Sequence, residues 1–306
     1  MAKLLPHFLD FDSCQVWELA ASQVWASHFS FMKFRVGSSH AVCSECIKHK
    51  SLISGLQHHL LARGMQQRLL YAHLHAQFRD RLCYWKKRGC SRLRGLQLCM
   101  IVDGMDQGKF SLPRHPVMKS KQLDALNRPK LHVAACIAHG WAIHFYVSEP
   151  NLAKDSNTST EVLCHTLSVL KDQGCDVCSA SLTVQADNTV REVKNGMLLR
   201  WGASLVSDHR VRDITFSFLR SGHSHEDVDQ CFGYAADWIR RKLPRAESSD
   251  DVVESLSDCL AKMDRPHEPI RRCYKLDGTR DWCLDLDRGF ICNFGTRHHK
   301  AYIFQA

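Results

Sequence analysis

Between Ser51 and Arg88, apolar residues recur at Leu52, Leu56, Leu60, Leu70, Leu74, Phe78 and Leu82, the spacing of one helical face. The pattern predicts one long helix, or two broken near Gly64, whose stripe packs on a core or on a second copy of the chain. After that the periodicity changes. LQLCMIVD (96–103), LHVAACIA (131–138) and WAIHFYV (141–147) are strand-like runs, the last two separated only by His139-Gly140, a tight hairpin signal. There follow a helix near 158–172, a strand over 179–186, a helix near 190–206, a strand over 214–219 and a helix near 225–243. Three meandering strands followed by alternating units predict an α/β fold, a mixed sheet with helices on its faces, in the order β-β-β-α-β-α-β-α. Beyond Pro244, RAESSDD reads as a linker, followed by a helix near 250–263 and two closing strand-like pieces, DWCLDL and AYIFQ. The expected organisation is an amino-terminal module over 1–50, a helical segment over 51–94, the α/β core over 95–244 and a helix-and-strand extension over 245–306.

Composition adds a partner class. The chain of 306 residues has a net charge of +9, and Lys48 to Arg94 holds eleven Lys/Arg against a single acid, Asp80. Such a stripe suits a polyanion, most commonly nucleic acid, with Lys86, Lys87, Arg88, Arg92 and Arg94 as candidate contacts. A solvated helix face is the plain alternative. The start has no basic segment leading into a long apolar one, and nothing approaches the roughly 18 apolar residues of a membrane span, so an intracellular protein is expected. The 15 cysteines are scattered through the expected elements rather than framed for disulfides, which points to reduced thiols. His40, Cys43, Cys46 and His49 form H-x2-C-x2-C-x2-H, half of a zinc site. Four ligands so close in sequence rarely close a tetrahedron, so Zn2+ would need a second pair from elsewhere, and ordinary thiols beside surface histidines are the alternative. Cys175 and Cys178 have no partner pair nearby and read as packing thiols.

The acids carry the chemistry. Asp103 closes the first strand and Asp187 the fourth, and ligands bind beyond the carboxyl ends of such strands. In the strand order of the RNase H fold, which has this β-β-β-α-β-α-β-α sequence, those strands are neighbours. Two carboxylates brought together repel unless protonated or bridged, so the pair predicts Mg2+ or Mn2+. Aspartates also begin turns, which is the structural alternative for each. For a third acid, Glu226, Asp227 and Asp229 open the last core helix. Its stripe of Val228, Phe232, Ala235, Ile239 and Leu243 sets Glu226 opposite the sheet, toward solvent, and leaves Asp229 and His225 flanking it. Asp229 is therefore the expected third ligand, with His225 as a second ligand or as its orienting group. Ser224 with Asp227, and Thr189 with Glu192, resemble capping boxes. Asp106 lies close enough on the loop to reach the same ions.

D-G-M-D-Q-G-K-F, Q-A-D-N-x3-E-x-K-N and G-H-S-H-E-D-V-D-Q together resemble a domain-of-unknown-function family of transposon-derived eukaryotic proteins, often with a C-x2-C module upstream. The resemblance covers about residues 40 to 305. It implies an RNase H-like, transposase/integrase-type core that cuts and joins DNA, with Asp103 and Asp187 on the first two acidic positions and the H-E-D-V-D stretch supplying the third. It also implies a nuclear protein. The amino end is shorter than in fuller members, which points away from independent recognition of DNA ends. Two other readings stand beside it. One is a domesticated or decayed remnant that binds nucleic acid without cutting. The other is a mononuclear hydrolase built on His223, His225 and Asp229.

Overall fold

A computed structural model describes residues 27, 43–106, 108, 110–115, 128–218, 226–282, 286 and 302–305. The chain divides into two compact units, Met1–Ala41 and Val42–Ala306, and all the architecture below belongs to the second. Two helices, α1 (Ser44–Gly55) and α2 (Leu60–Arg92), lead into β1 (Gln97–Gly104), β2 (His132–Ala138) and β3 (Ala142–Ser148). Next come α3 (Ser156–Asp172), β4 (Ser181–Ala186), α4 (Gly196–Ser207), β5 (Asp213–Phe218) and α5 (Asp227–Lys242). The chain closes with α6 (Ser249–Lys262), β6 (Ile270–Leu276) and β7 (Tyr302–Gln305).

The strands form one mixed seven-stranded sheet in the order β6-β3-β2-β1-β4-β5-β7. β1 is antiparallel to β2 and β2 to β3, while β1, β4 and β5 run parallel. β6 runs parallel to β3 at one edge and β7 antiparallel to β5 at the other. Side chains alternate across a strand, and β1 divides accordingly between two cores. Leu98, Met100 and Val102 face α3 and α4, among Val162, Leu163, Leu198 and the buried Trp201. Cys99 and Ile101 face α5 and α6, among Val228, Phe232, Leu256 and Leu260. Helices thus cover both faces, which is why β1 is apolar throughout rather than alternating.

The β2–β3 turn shows how tightly α2 is fastened to the sheet. Gly140 has φ +84, and a Cβ there would meet Ser91 O at 2.7 Å and Arg92 Cα at 2.8 Å, so the position needs glycine for its conformation and for its space. Ser91, fully buried, donates to His139 O at 2.7 Å and accepts from Cys99 N at 2.9 Å, stitching the end of α2 to two strands.

Four expectations are corrected. The helical segment breaks over 56–59, and Gly64 lies inside α2, where one glycine costs only about 1 kcal/mol. The apolar stripe of that segment is not core: Leu52, Leu60, Leu74 and Phe78 are exposed, because only the end of α2 reaches the sheet. α4 starts at Gly196 rather than near 190, since Asn195 Oδ1 caps Leu198 N and the residues before it turn back onto Thr189 O. Finally, Trp282 and Leu286 of the DWCLDL piece pack as buried residues outside any strand, while the edge strand is β6, whose polar Arg271, Arg272 and Lys275 hide its pairing with β3.

Candidate functional site

Parallel pairing sets the site. β1 and β4 align Cys99 with Thr183 and Ile101 with Gln185. Two residues further on, the same register sets Asp187 level with Asp103, on the same face of neighbouring strands. That face is the one α5 covers, and the charges of both Asp187 and Asp229 bear on Asp103. Burial is the largest cause of its shift: the Asp103 carboxyl is pushed up to about 7, by desolvation and then by those two aspartates, against the Gly104 N–H and the Lys154 ammonium that pull it down. Three of the predicted acids therefore share one environment.

Each acid also has local work. Asp103 Oδ1 accepts from Gly104 N at 2.8 Å, and Asp187 Oδ1 from Thr189 N at 2.9 Å. Asp229 Oδ2 accepts from Glu226 N at 2.9 Å, closing a capping box with Glu226 as the N-cap. Of the box expected from Ser224 and Asp227, Ser224 lies outside the described residues; α5 is capped by Glu226 and begins at Asp227. The box expected from Thr189 and Glu192 does not open a helix, because α4 begins later. Asp106 lies on an exposed loop and accepts from Gly108 N at 3.1 Å. His223 and His225 lie outside the described residues.

Below the carboxylates, Gln185 is fully buried and its Oε1 has no hydrogen-bond partner. An orphaned buried acceptor is costly, and this one shares the strand face of Asp103 and Asp187. Sequence reasoning also missed Lys154. Lys154, from the loop between β3 and α3, reaches Gly104 so closely that a Cβ there would meet its Nζ at 2.7 Å. Its ammonium pairs with Glu192 at 3.3 Å. A cation already sits among these acids, supplied by a loop whose only sequence signal is one lysine.

The helix-wheel ranking is wrong for Glu226. Rather than facing solvent, its side chain is 6 % exposed, paired with Arg81 at 2.9 Å and accepting from Trp85 Nε1 at 3.1 Å. The wheel positions α5 against the sheet and takes no account of α2, which covers the start of α5 from outside. Burial raises the Glu226 carboxyl despite Trp85 and Arg81. Asp227 takes the opposite course: burial alone would raise it, but the Arg88 hydrogen bond at 2.7 Å, the charges of His139 and Arg88 and the Tyr84 hydroxyl outweigh that and hold it below its usual range.

The same pairing redistributes the basic stripe. Arg88 meets Asp227, Arg92 meets buried Glu268 at 3.3 Å, and Arg94 donates to Gly140 O at 2.8 Å while lying over the Trp141 ring. Lys87 donates to Gln97 Oε1 at 3.0 Å, and Lys86 is exposed. Other arginines gather where no stripe was visible. A groove of about 600 Å³ beside α5 is lined by Arg114, Arg128 and Arg240, together with Asp237, which pairs with Arg240, between the loop that follows Asp103 and the middle of the helix that begins with Asp227.

Cys43 and Cys46 lie side by side at the start of α1, and the nearby third group is His73 of α2. His49 Nδ1 is 3.1 Å from Gln66 Oε1, and His40 lies outside the described residues. No helix of the described residues is long and apolar enough to cross a membrane. Neither a curated protein nor a solved structure matches the chain at a significant level. One family model does, over residues 121–294, a span that includes Lys154, Asp187, Glu192 and Asp229 and leaves β1 with Asp103 outside. By that match, which covers more than half of its length, the chain belongs to the family described as Domain of unknown function (DUF7869).

Proposed function

We propose that the chain is a divalent-metal-dependent enzyme that cleaves and joins DNA phosphodiesters, transposase/integrase-like, on an RNase H-like core of transposon origin. The observation that carries this reading is Asp103: buried, level with Asp187 on the adjacent strand, and within reach of the Asp229 charge, so that its carboxyl is pushed up to about 7. Acids crowded in this way favour a proton or a cation. The order β3-β2-β1-β4-β5, antiparallel then parallel, is the arrangement that makes Asp103 and Asp187 neighbours.

The donors suit Mg2+ or Mn2+, being hard oxygens, with the partnerless Gln185 Oε1 beneath them as an acceptor for a bound water. Among the described residues, three ligand atoms lie within 4.8 Å of one another only at Cys43, Cys46 and His73. Asp103, Asp187 and Asp229 therefore do not converge on a single point. When bound, such ions supply Lewis-acid activation of water or a 3′-hydroxyl and stabilise the leaving oxygen. Asp103, Asp187 and Asp229 would hold such ions and orient the attacking oxygen. Lys154 and Glu192 border the site, where the ammonium would meet a bound phosphate. Lys86 and the groove of Arg114, Arg128 and Arg240 hold the DNA backbone by charge. The exposed Leu61, Met65, Leu69 and Phe78 of α2 support a homo-oligomer formed through that helix. A nuclear location follows from a DNA substrate.

The second reading, a domesticated nucleic-acid-binding protein without catalysis, is favoured by one observation: all three aspartates already accept backbone hydrogen bonds in turns or caps. Nicking of supercoiled plasmid separates the two. The enzyme reading expects Mn2+-dependent nicking that Asp103→Asn and Asp187→Asn each reduce by at least about a thousandfold while DNA binding persists, the scale expected when a group that stabilises transition-state charge is lost. DNA binding without nicking by the wild type supports the second reading, and nicking that survives both changes removes the first.

A further inference from the structure

The amino-terminal helix has almost no apolar reason to be where it is. Cys46 is the one buried residue of α1, Ile47 and Leu52 are exposed, and Cys43 at the N-cap makes no side-chain cap. One buried thiol contributes on the order of 1 kcal/mol, too little to hold a helix of 12 residues against α2. Yet the ligand atoms of Cys43, Cys46 and His73 converge to within 4.8 Å of one another, and neither cysteine is in a disulfide. The His73 side chain is only 7 % exposed.

We infer that Cys43, Cys46 and His73 bind a zinc ion that fastens α1 to α2. The geometry fits at three points. Cys43 Sγ lies 3.4 Å from His73 Nε2, against about 3.5 Å for the edge of a tetrahedron with Zn–S near 2.3 Å and Zn–N near 2.0 Å. Glu45 Oε2 lies 2.6 Å from His73 Nδ1, so the carboxylate holds the outer nitrogen and leaves Nε2 facing the sulfurs. That carboxylate–imidazole relay is the usual support of a metal-bound histidine. The donor set is also selective, since two thiolates and an imidazole suit zinc and poorly suit Mg2+ or Mn2+. On binding, the two Sγ–H protons pass to solvent as two Zn–S bonds form, and a solvent molecule fills the fourth position. Sequence spacing supplies only the two cysteines. The third ligand comes from the middle of α2, brought alongside by the turn over 56–59. This site is separate from the strand-end carboxylates and stands whether or not the protein cuts DNA.

The full-length protein, purified without chelator, is assayed for zinc by mass spectrometry and, after exchange, for the near-ultraviolet thiolate-to-metal band of Co2+. The expected result is about one zinc per chain, with both signals lost in the Cys43→Ser/Cys46→Ser double variant and in His73→Gln. Glu45→Gln changes an exposed carboxylate and is expected to keep the fold while holding zinc about tenfold to a hundredfold more weakly against a chromophoric chelator. A wild type with no zinc, a double variant with undiminished zinc, or a Cys43–Cys46 disulfide in the intact mass each overturns the inference. Should the cysteine variants fail to fold, an unchanged zinc affinity in Glu45→Gln overturns it equally.

Discussion

Asp103 and Asp227 are both largely buried acids on one side of the same sheet, and their surroundings push them in opposite directions. Asp227 lies under α2 with Arg88 at 2.7 Å, Tyr84 at 3.2 Å and His139 at 3.7 Å, and its carboxyl is held below the usual range. Asp103 has one cation nearby, Lys154, which is shared with Glu192, and two further aspartates whose charges add to the cost of burial. In the first region the protein completes its own charge balance. Glu226 with Arg81 and Glu268 with Arg92 repeat the arrangement, so the inner face of α2 is a row of internal ion pairs. In the second region the balance is left incomplete. The internally paired acids hold helices in place, whereas Asp103 is buried beside like charges.

The comparison breaks first at Asp227. Replacing it with alanine strands Arg88 and leaves His139 and Tyr84 without their common partner, and removing one member of a buried pair costs about 3–5 kcal/mol. Asp227→Ala should therefore lower the midpoint of urea unfolding severely, and a loss below about 1 kcal/mol would mean that the pairing is ornamental surface charge.

The opposite sign is expected at Asp103. Its folded pKa of about 7 lies above the unfolded value of about 3.9. Below the unfolded value the carboxyl is neutral in both states and costs nothing. As pH rises from about 4 through about 7, the unfolded chain ionises first and stability is lost. Asp103→Asn removes that loss, so it should stabilise the metal-free protein at pH 8 by on the order of 2 kcal/mol and have little effect at pH 4. Thermal unfolding across that range reads it directly. A variant that is less stable at pH 8 would show that the carboxylate is compensated after all.

How much of this the sequence revealed follows from what each element has to bury. The strands around Asp103 and Asp187 are buried on both faces, so their apolar runs were legible and their order brought the two acids together. β6 was not, because Arg271, Arg272 and Lys275 line an edge strand that reads as polar loop. The eleven cations before β1 read as one basic stripe, yet Arg81, Arg88 and Arg92 belong to acids far along the chain. Net charge counts residues without their partners. The wheel placed Asp229 beside the sheet but mistook Glu226 for a solvated acid, because a helical wheel knows the face it was drawn against and nothing of a second helix. Lys154 and His73 carry no local pattern at all, and only the fold brings them to their sites.

The most direct test of the difference between the two regions is a calorimetric titration of Mn2+ into the wild type and into Asp103→Asn at pH 8. The account predicts binding by the wild type that Asp103→Asn weakens by at least about tenfold, the loss expected when one charged ligand of a carboxylate site is removed. Equal Mn2+ affinity in the two proteins, or none in either, would contradict it.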